Sequence, residues 1–142
     1  MAFNVLIVDD SSTMRAVVKK AIRVSGFDVG EYREAADGQE ALETLRRHWV
    51  DVVLTDIHMP RLNGLELVAK MREDELLNSI PVIMVSTEGS EKKVQESIRL
   101  GASGYIQKPF HPEQIRRTLS QVMGEAQEGQ KNDSAAPEGS DF

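Results

Sequence analysis

Asn4-Val5-Leu6-Ile7-Val8-Asp9-Asp10 carries four consecutive apolar residues and stops abruptly at two acids. A strand with one wet face alternates apolar and polar residues. This run does not alternate, which marks a strand covered on both faces. Three later segments follow the same plan with different endings. Val52-Val53-Leu54-Thr55 ends in Asp56, Val82-Ile83-Met84-Val85 ends in the hydroxyl pair Ser86-Thr87, and Tyr105-Ile106-Gln107 ends in Lys108-Pro109. As neighbouring parallel strands, the four would bring carboxylates, a hydroxyl and an ammonium to one edge.

The segments between them read as helices. Met14, Val17, Val18, Ala21 and Ile22 recur at helical spacing, with Arg15, Lys19, Lys20 and Arg23 toward water. Ser11 or Ser12 suits the N-cap, and Gly26 the left-handed C-terminal position. Tyr32–Ala35 is a shorter strand, nearer an edge. Asp37-Gly38-Gln39-Glu40 and Asn63-Gly64-Leu65-Glu66 both resemble capping boxes. The first opens a helix with Ala41, Leu42 and Leu45 inside; the second a helix burying Leu65, Val68 and Met71 or Leu67. Ser90–Leu100 offers only the thin stripe Val94 and Ile98, so it should be loosely held. Pro112 opens a last helix carrying Ile115, Leu119, Val122 and Met123. Five β-like and five α-like segments in alternation imply a parallel sheet with helices on both faces. Such sheets bind ligands beyond the carboxyl ends of their strands. That rim is where Asp9, Asp10, Asp56, Ser86 and Lys108 fall.

Bulk properties narrow the class. The 142 residues are 40% apolar and 28% charged, values of one ordinary globular domain. No cysteine is present, which removes disulfides and thiolate metal sites. No apolar run approaches the ~20 residues of a membrane-spanning helix, and Met1-Ala2-Phe3-Asn4 does not read as a signal peptide. A cytoplasmic protein is expected. The net charge is −6, and residues 125–142 hold five acids against Lys131 alone. Neither part has the basic field that nucleic acid binding needs. Beyond Gly124 the composition turns polar, so 1–124 is expected to form the domain and 125–142 a disordered acidic tail.

Three carboxylates on adjacent strand ends repel one another. A hard divalent cation resolves that conflict, and Mg²⁺ takes one or two carboxylates with waters and a phosphate oxygen. Zn²⁺ is disfavoured because His48, His58 and His111 lack ligand spacing. A carboxylate beside Mg²⁺ can also attack phosphorus to form an acyl phosphate. Asp56, alone at the end of its strand, suits the nucleophile; Asp9 and Asp10 suit the metal. Lys108 would neutralise phosphoryl oxygens and Ser86 would donate to one.

Taken together, Val8-Asp9-Asp10-Ser11, Thr55-Asp56-Ile57-His58-Met59-Pro60, Asn63-Gly64, Pro81–Ser86 and Lys108-Pro109-Phe110 resemble the receiver domain of bacterial two-component response regulators, over residues 1 to about 124. Gly101-Ala102-Ser103-Gly104-Tyr105 before Lys108-Pro109-Phe110 is similar to the stand-alone chemotaxis regulators. The resemblance implies a flavodoxin-like (βα)5 fold with strand order 2-1-3-4-5, known for both flavodoxin and the chemotaxis regulator. It implies that Asp56 accepts a phosphoryl group from a sensor histidine kinase. Asp9, Asp10, Asp56 and the His58 backbone carbonyl would hold Mg²⁺. Ser86 would be the switch hydroxyl, Tyr105 the switch aromatic and Lys108 the phosphoryl partner, with the Lys108–Pro109 bond cis. His58 and Glu88 would tune loss of the phosphoryl group. The implied partners of this monomer are the kinase, a downstream target such as the flagellar motor switch, and a phosphatase.

Blander readings apply to single residues. An Asp at a strand end is often a turn residue, and an aromatic in a strand usually packs. Trp49 is expected to seal the second helix, His48 and His111 to lie on the surface or cap, and Met59, Met71 and Met84 to pack in or near the core. Lys92-Lys93 and Arg116-Arg117 suit solvated helix faces. A haloacid-dehalogenase-like phosphohydrolase is the rival enzyme, but it needs a second Asp where His58 stands. A nucleotide or flavin site lacks any glycine-rich phosphate loop. As given, the chain carries no output domain, so it would act through partners, as a phosphorelay shuttle or as a regulator of another enzyme.

Overall fold

The apolar run at residues 4–8 forms the interior of strand β1 (Phe3–Val8), where Val5, Leu6, Ile7 and Val8 are at most 1% exposed. In the computed structural model, which describes residues 2–131 with side chains through Gly124, five strands alternate with five helices. The strands are β1, β2 (Val29–Ala35), β3 (Val52–Thr55), β4 (Val82–Ser86) and β5 (Gly104–Gln107); the helices are α1 (Ser12–Ser25), α2 (Gly38–Arg47), α3 (Gly64–Glu73), α4 (Glu91–Leu100) and α5 (Pro112–Lys131). All pairings are parallel and the order is β2-β1-β3-β4-β5, the expected flavodoxin-like arrangement. No helix among the described residues is long and apolar enough to cross a membrane.

Side-chain alternation along the strands divides the core. Leu6, Val8, Val53 and Met84 pack with Leu42, Leu67, Val68 and Met71 from α2 and α3. Val5, Ile7, Leu54 and Ile83 pack on the opposite face with Val18, Ile22, Ile115 and Leu119 from α1 and α5. Each such fully buried aliphatic side chain contributes about 1.5–3 kcal/mol relative to exposure. Register then sets the rim: Val8 lies opposite Thr55, so Asp9 and Asp56 emerge side by side.

The caps follow the sequence closely. The Ser11 side chain accepts from Met14 N, and Gly26 closes α1 at φ 83°. Asn63 and Glu66 complete a reciprocal capping box on α3. At α2 the box is incomplete, because Glu40 Oε1 accepts from Ala36 N and not from the cap residue. Strand β2 lies at the sheet edge but begins at Val29, earlier than its apolar pattern suggested.

Several side chains depart from expectation. Val17 is 46% exposed, since the apolar stripe of α1 is wider than the surface that covers it. Trp49 does not seal α2; it is 77% exposed, with its indole N–H donating to Asp51 Oδ1 at 2.9 Å. Helix α5 continues past Gly124 to Lys131, where the tail was expected to begin. Glu, Ala, Gln and Lys are strong helix formers, so intrinsic preference favours that extension. Residues 132–142, the rest of the expected tail, lie outside the described residues.

Candidate functional site

Carboxylate oxygens of Asp9, Asp10 and Asp56 all lie within 4.8 Å of one another at the carboxyl ends of β1 and β3. Their surroundings differ. Asp9 is buried: its Oδ1 accepts from Ser11 N at 2.9 Å and its Oδ2 faces Lys108 Nζ at 3.3 Å. Asp10 is exposed. Asp56 is intermediate; its Oδ1 accepts from Ile57 N at 2.8 Å, and its Oδ2 lies 3.7 Å from Lys108 Nζ. Burial pushes the Asp56 carboxyl above the ordinary carboxylate range, outweighing Lys108 and the Ile57 N–H, with the Asp9 charge pushing the same way.

Lys108 reaches this cluster from the far side of the sheet. Its N–H bonds to the Ser86 carbonyl at 2.8 Å, which ties the end of β5 to the end of β4. The following Lys108–Pro109 bond is cis, as the resemblance implied. One ammonium thus stands against three acids. The donor set suits a hard cation, since it is all oxygen with neither imidazole nitrogen nor thiolate among the three residues.

Ser86 is fully buried while Thr87 is exposed, so the strand register assigns the inward hydroxyl to Ser86. That hydroxyl accepts from Glu88 N at 3.1 Å. The Tyr105 hydroxyl donates to Glu88 O at 2.5 Å. Burial, partly offset by the Ser86 hydroxyl, pushes the Tyr105 phenol above its usual value. Glu88 is therefore held by both residues, and its own carboxylate pairs with His58 Nε2 at 2.8 Å across the mouth of the site.

Two supports were not legible beforehand. Arg15, expected to face water, donates to the Asp9 carbonyl at 2.6 Å and to Glu34 at 2.8 Å. Its place one turn into α1 was the available signal, because that turn begins immediately after the acids. The second is the ion pair between Asp37 and Arg61, residues far apart in sequence that no periodicity connects. A depression of about 650 Å³ lies elsewhere, around Phe3, Trp49, Leu76 and Met123, and contains none of the rim residues.

A parallel α/β sheet with a carboxylate cup and a lysine at its carboxyl edge defines the phosphoacceptor class of signalling domain. The chain belongs to the response regulator receiver domain family, whose model matches residues 5–120. It is 41% identical over 122 residues to a chemotaxis protein CheY homolog of Campylobacter jejuni, covering 85% of this chain and 92% of that one. The structure of chemotaxis response regulator CheY4 of Vibrio cholerae matches with a TM-score of 0.76 at 36% identity, over 86% of this chain and 99% of that one. A CheX-CheY-BeF3-Mg²⁺ complex from Borrelia burgdorferi matches with a TM-score of 0.76 at 32% identity, over 85% and 89% of the two chains.

Proposed function

We propose that Asp56 is the phosphoacceptor of a Mg²⁺-dependent switch that carries chemotaxis signals from a sensor histidine kinase to a protein target. The observation that carries this reading is the convergence of Asp9, Asp10 and Asp56 within 4.8 Å, with Lys108 against two of them. A carboxylate oxygen of Asp56 attacks the phosphorus of a phosphohistidine. The new P–O bond forms as the P–N bond breaks, and the departing imidazole takes its proton from solvent. Asp9, Asp10, Asp56 and the His58 carbonyl would hold Mg²⁺, which when bound offsets both the crowded carboxylates and the incoming phosphoryl charge.

The chain's own residues do the rest. Lys108, already between Asp9 and Asp56, supplies a fixed positive charge for a phosphoryl oxygen. Ser86 donates to another once it leaves Glu88 N. Because Tyr105 holds the carbonyl of that same Glu88, loss of one anchor loosens the other. The result is a rearranged loop between β4 and α4, read by a partner.

The chain acts as a switch and not as a phosphohydrolase on outside substrates, because the position two residues after Asp56 is His58 and not a second acid. The C. jejuni and V. cholerae relatives, both chemotaxis proteins by name, support the chemotaxis role, and a flagellar motor target in the cytoplasm belongs to the same proposal. The B. burgdorferi complex supports Mg²⁺ at this rim and a further protein partner. The test is labelling by acetyl phosphate with Mg²⁺, followed by intact mass. Wild type should gain one phosphoryl group and Asp56→Asn none; undiminished labelling of the variant would mean the nucleophile is elsewhere.

A further inference from the structure

Between β3 and α3 the chain passes through His58, Met59 and Pro60, then through Arg61 at φ 66°. Arg61 is the only non-glycine residue with positive φ among the described residues, and a side chain in that left-handed region is disfavoured unless its surroundings hold it. The hold is visible. Both Arg61 Nε and an Arg61 terminal nitrogen contact Asp37 Oδ2, at 2.9 and 2.8 Å. Asp37 is only 6% exposed, and its other oxygen accepts from Glu40 N at 2.9 Å as the cap of α2. Next to this pair, Gly38 N donates to the Leu62 carbonyl at 2.9 Å.

The strand end that leads into this turn meets the cup as well: the carbonyl of Ala35, the last residue of β2, accepts from Asp9 N at 3.1 Å. Segment 35–38, which supplies no carboxylate to the cup, is thus bonded at its start to the Asp9 backbone and at its end to Arg61 and Leu62, in the loop carrying the His58 carbonyl. Asp37 remains ionised beside Arg61. Burial acts to raise its pKa, but the Glu40 N–H and Arg61 together bring it below the ordinary value.

We infer that Asp37 and Arg61 form a positioning pair that fixes residues 58–60, and so sets the affinity of the rim for a divalent cation that neither residue touches. This rests on the reading of the rim as a Mg²⁺ site. A pair that merely stabilises the fold would change melting temperature alone; a positioning pair changes cation affinity too, because the carbonyl must be held in place before the cation arrives.

Two variants of the full chain separate these roles. Asp37→Asn keeps an N-cap of equal quality through its one carbonyl oxygen, but removes the negative charge and the second acceptor oxygen, the one that holds both Arg61 nitrogens. Arg61→Gly removes the guanidinium while accepting the left-handed backbone without strain. Calorimetric titration with MgCl₂ should show affinity about tenfold weaker in each variant, the low end for losing an outer partner of a metal site. The double variant should be no weaker than either single one. In metal-free protein, amide exchange across 58–62 should be faster in both variants. Mg²⁺ affinity and loop exchange equal to wild type in both would overturn the inference, provided wild type binds Mg²⁺ and Asp10→Ala binds it more weakly. If wild type itself takes up no Mg²⁺, the rim reading falls and this inference with it.

Discussion

Replacing Gly64 by Ala should damage the fold and the proposed phosphoacceptor Asp56 together, although the same exchange within a helix ordinarily helps. Gly64 is the first residue of α3 and packs against the end of β3. A Cβ there would sit 2.2 Å from the Asp56 carbonyl oxygen and 2.9 Å from Ile57 Cα. The first separation falls more than 1 Å short of ordinary contact at about 3.5 Å. Both neighbours are backbone, so no side chain can rotate away. Relief requires α3 to lift, which stretches the 2.8 Å bond from Gly64 N to Ile57 O. Overpacking costs about 1–3 kcal/mol and the weakened hydrogen bond about 1 kcal/mol. About 1 kcal/mol returns from the better helix propensity of Ala, leaving a net loss of about 1–3 kcal/mol. In metal-free urea denaturation, with a slope of about 2 kcal/mol per molar, the midpoint should fall by about 0.5–1.5 M. Because the clash falls on Asp56 itself, acetyl phosphate labelling should slow by about a hundredfold, as for a reacting group displaced by about 1 Å. Gly124→Ala supplies the control, since nothing lies within 4 Å of its added methyl. It should raise stability by about 0.5–1 kcal/mol and leave labelling unchanged. A Gly64→Ala protein as stable as wild type, or labelled as fast, would refute the reasoning.

Asp56→Asn should stabilise the metal-free protein at pH 7. Burial, opposed by Lys108 and the Ile57 N–H, leaves the native carboxyl with a raised pKa, so the folded state prefers the protonated form. The penalty for ionising Asp56 is absent below the unfolded value, near 4, and complete above the raised native value. The advantage of the variant should therefore shrink as urea midpoints are compared from pH 7 down to about pH 4, and a constant advantage would point to some other cause. Asp10→Ala should weaken Mg²⁺ binding by about tenfold or more in calorimetry without lowering the metal-free melting temperature, since it thins a crowded cluster. A fall in that temperature would count against the repulsion argument. Asn63→Ala removes the oxygen that accepts from Glu66 N and should cost about 1 kcal/mol, read as a lower melting temperature. No change would mean that water replaces the cap at no loss.

What could be read from the sequence is what local chemistry dictates. Val5–Val8 and Val52–Thr55 announce themselves as buried strands because both faces are covered, and their terminal acids mark the rim directly. Ser11, Gly26, Asn63 and Glu66 were legible as caps because a cap is satisfied within a few residues. Trp49 was not, since its hydrogen bond to Asp51 depends on how the chain turns between α2 and β3. Arg61 carries no local signal at all. Its left-handed backbone follows from Asp37, whose reading as a helix cap was correct but incomplete. Arg15 looked like one more solvated cation until the Asp9 carbonyl was placed beside it.

The packing also indicates where a change at the rim can travel. Strand β4 is buried throughout, so Ser86 cannot shift by dragging its strand. The free direction is outward, through Glu88 into α4. That helix buries only Ser97 and leaves Ile98 52% exposed, so it has little apolar surface holding it in place. Elements with few buried contacts open at low free energy. On the proposed switch, a modest push at Ser86 and Tyr105 would therefore be spent on this lightly anchored helix and not on the sheet. On that switch, a partner that reads the state of Asp56 would not need to approach Asp56, because the face of α4 beside Tyr105 would shift with it.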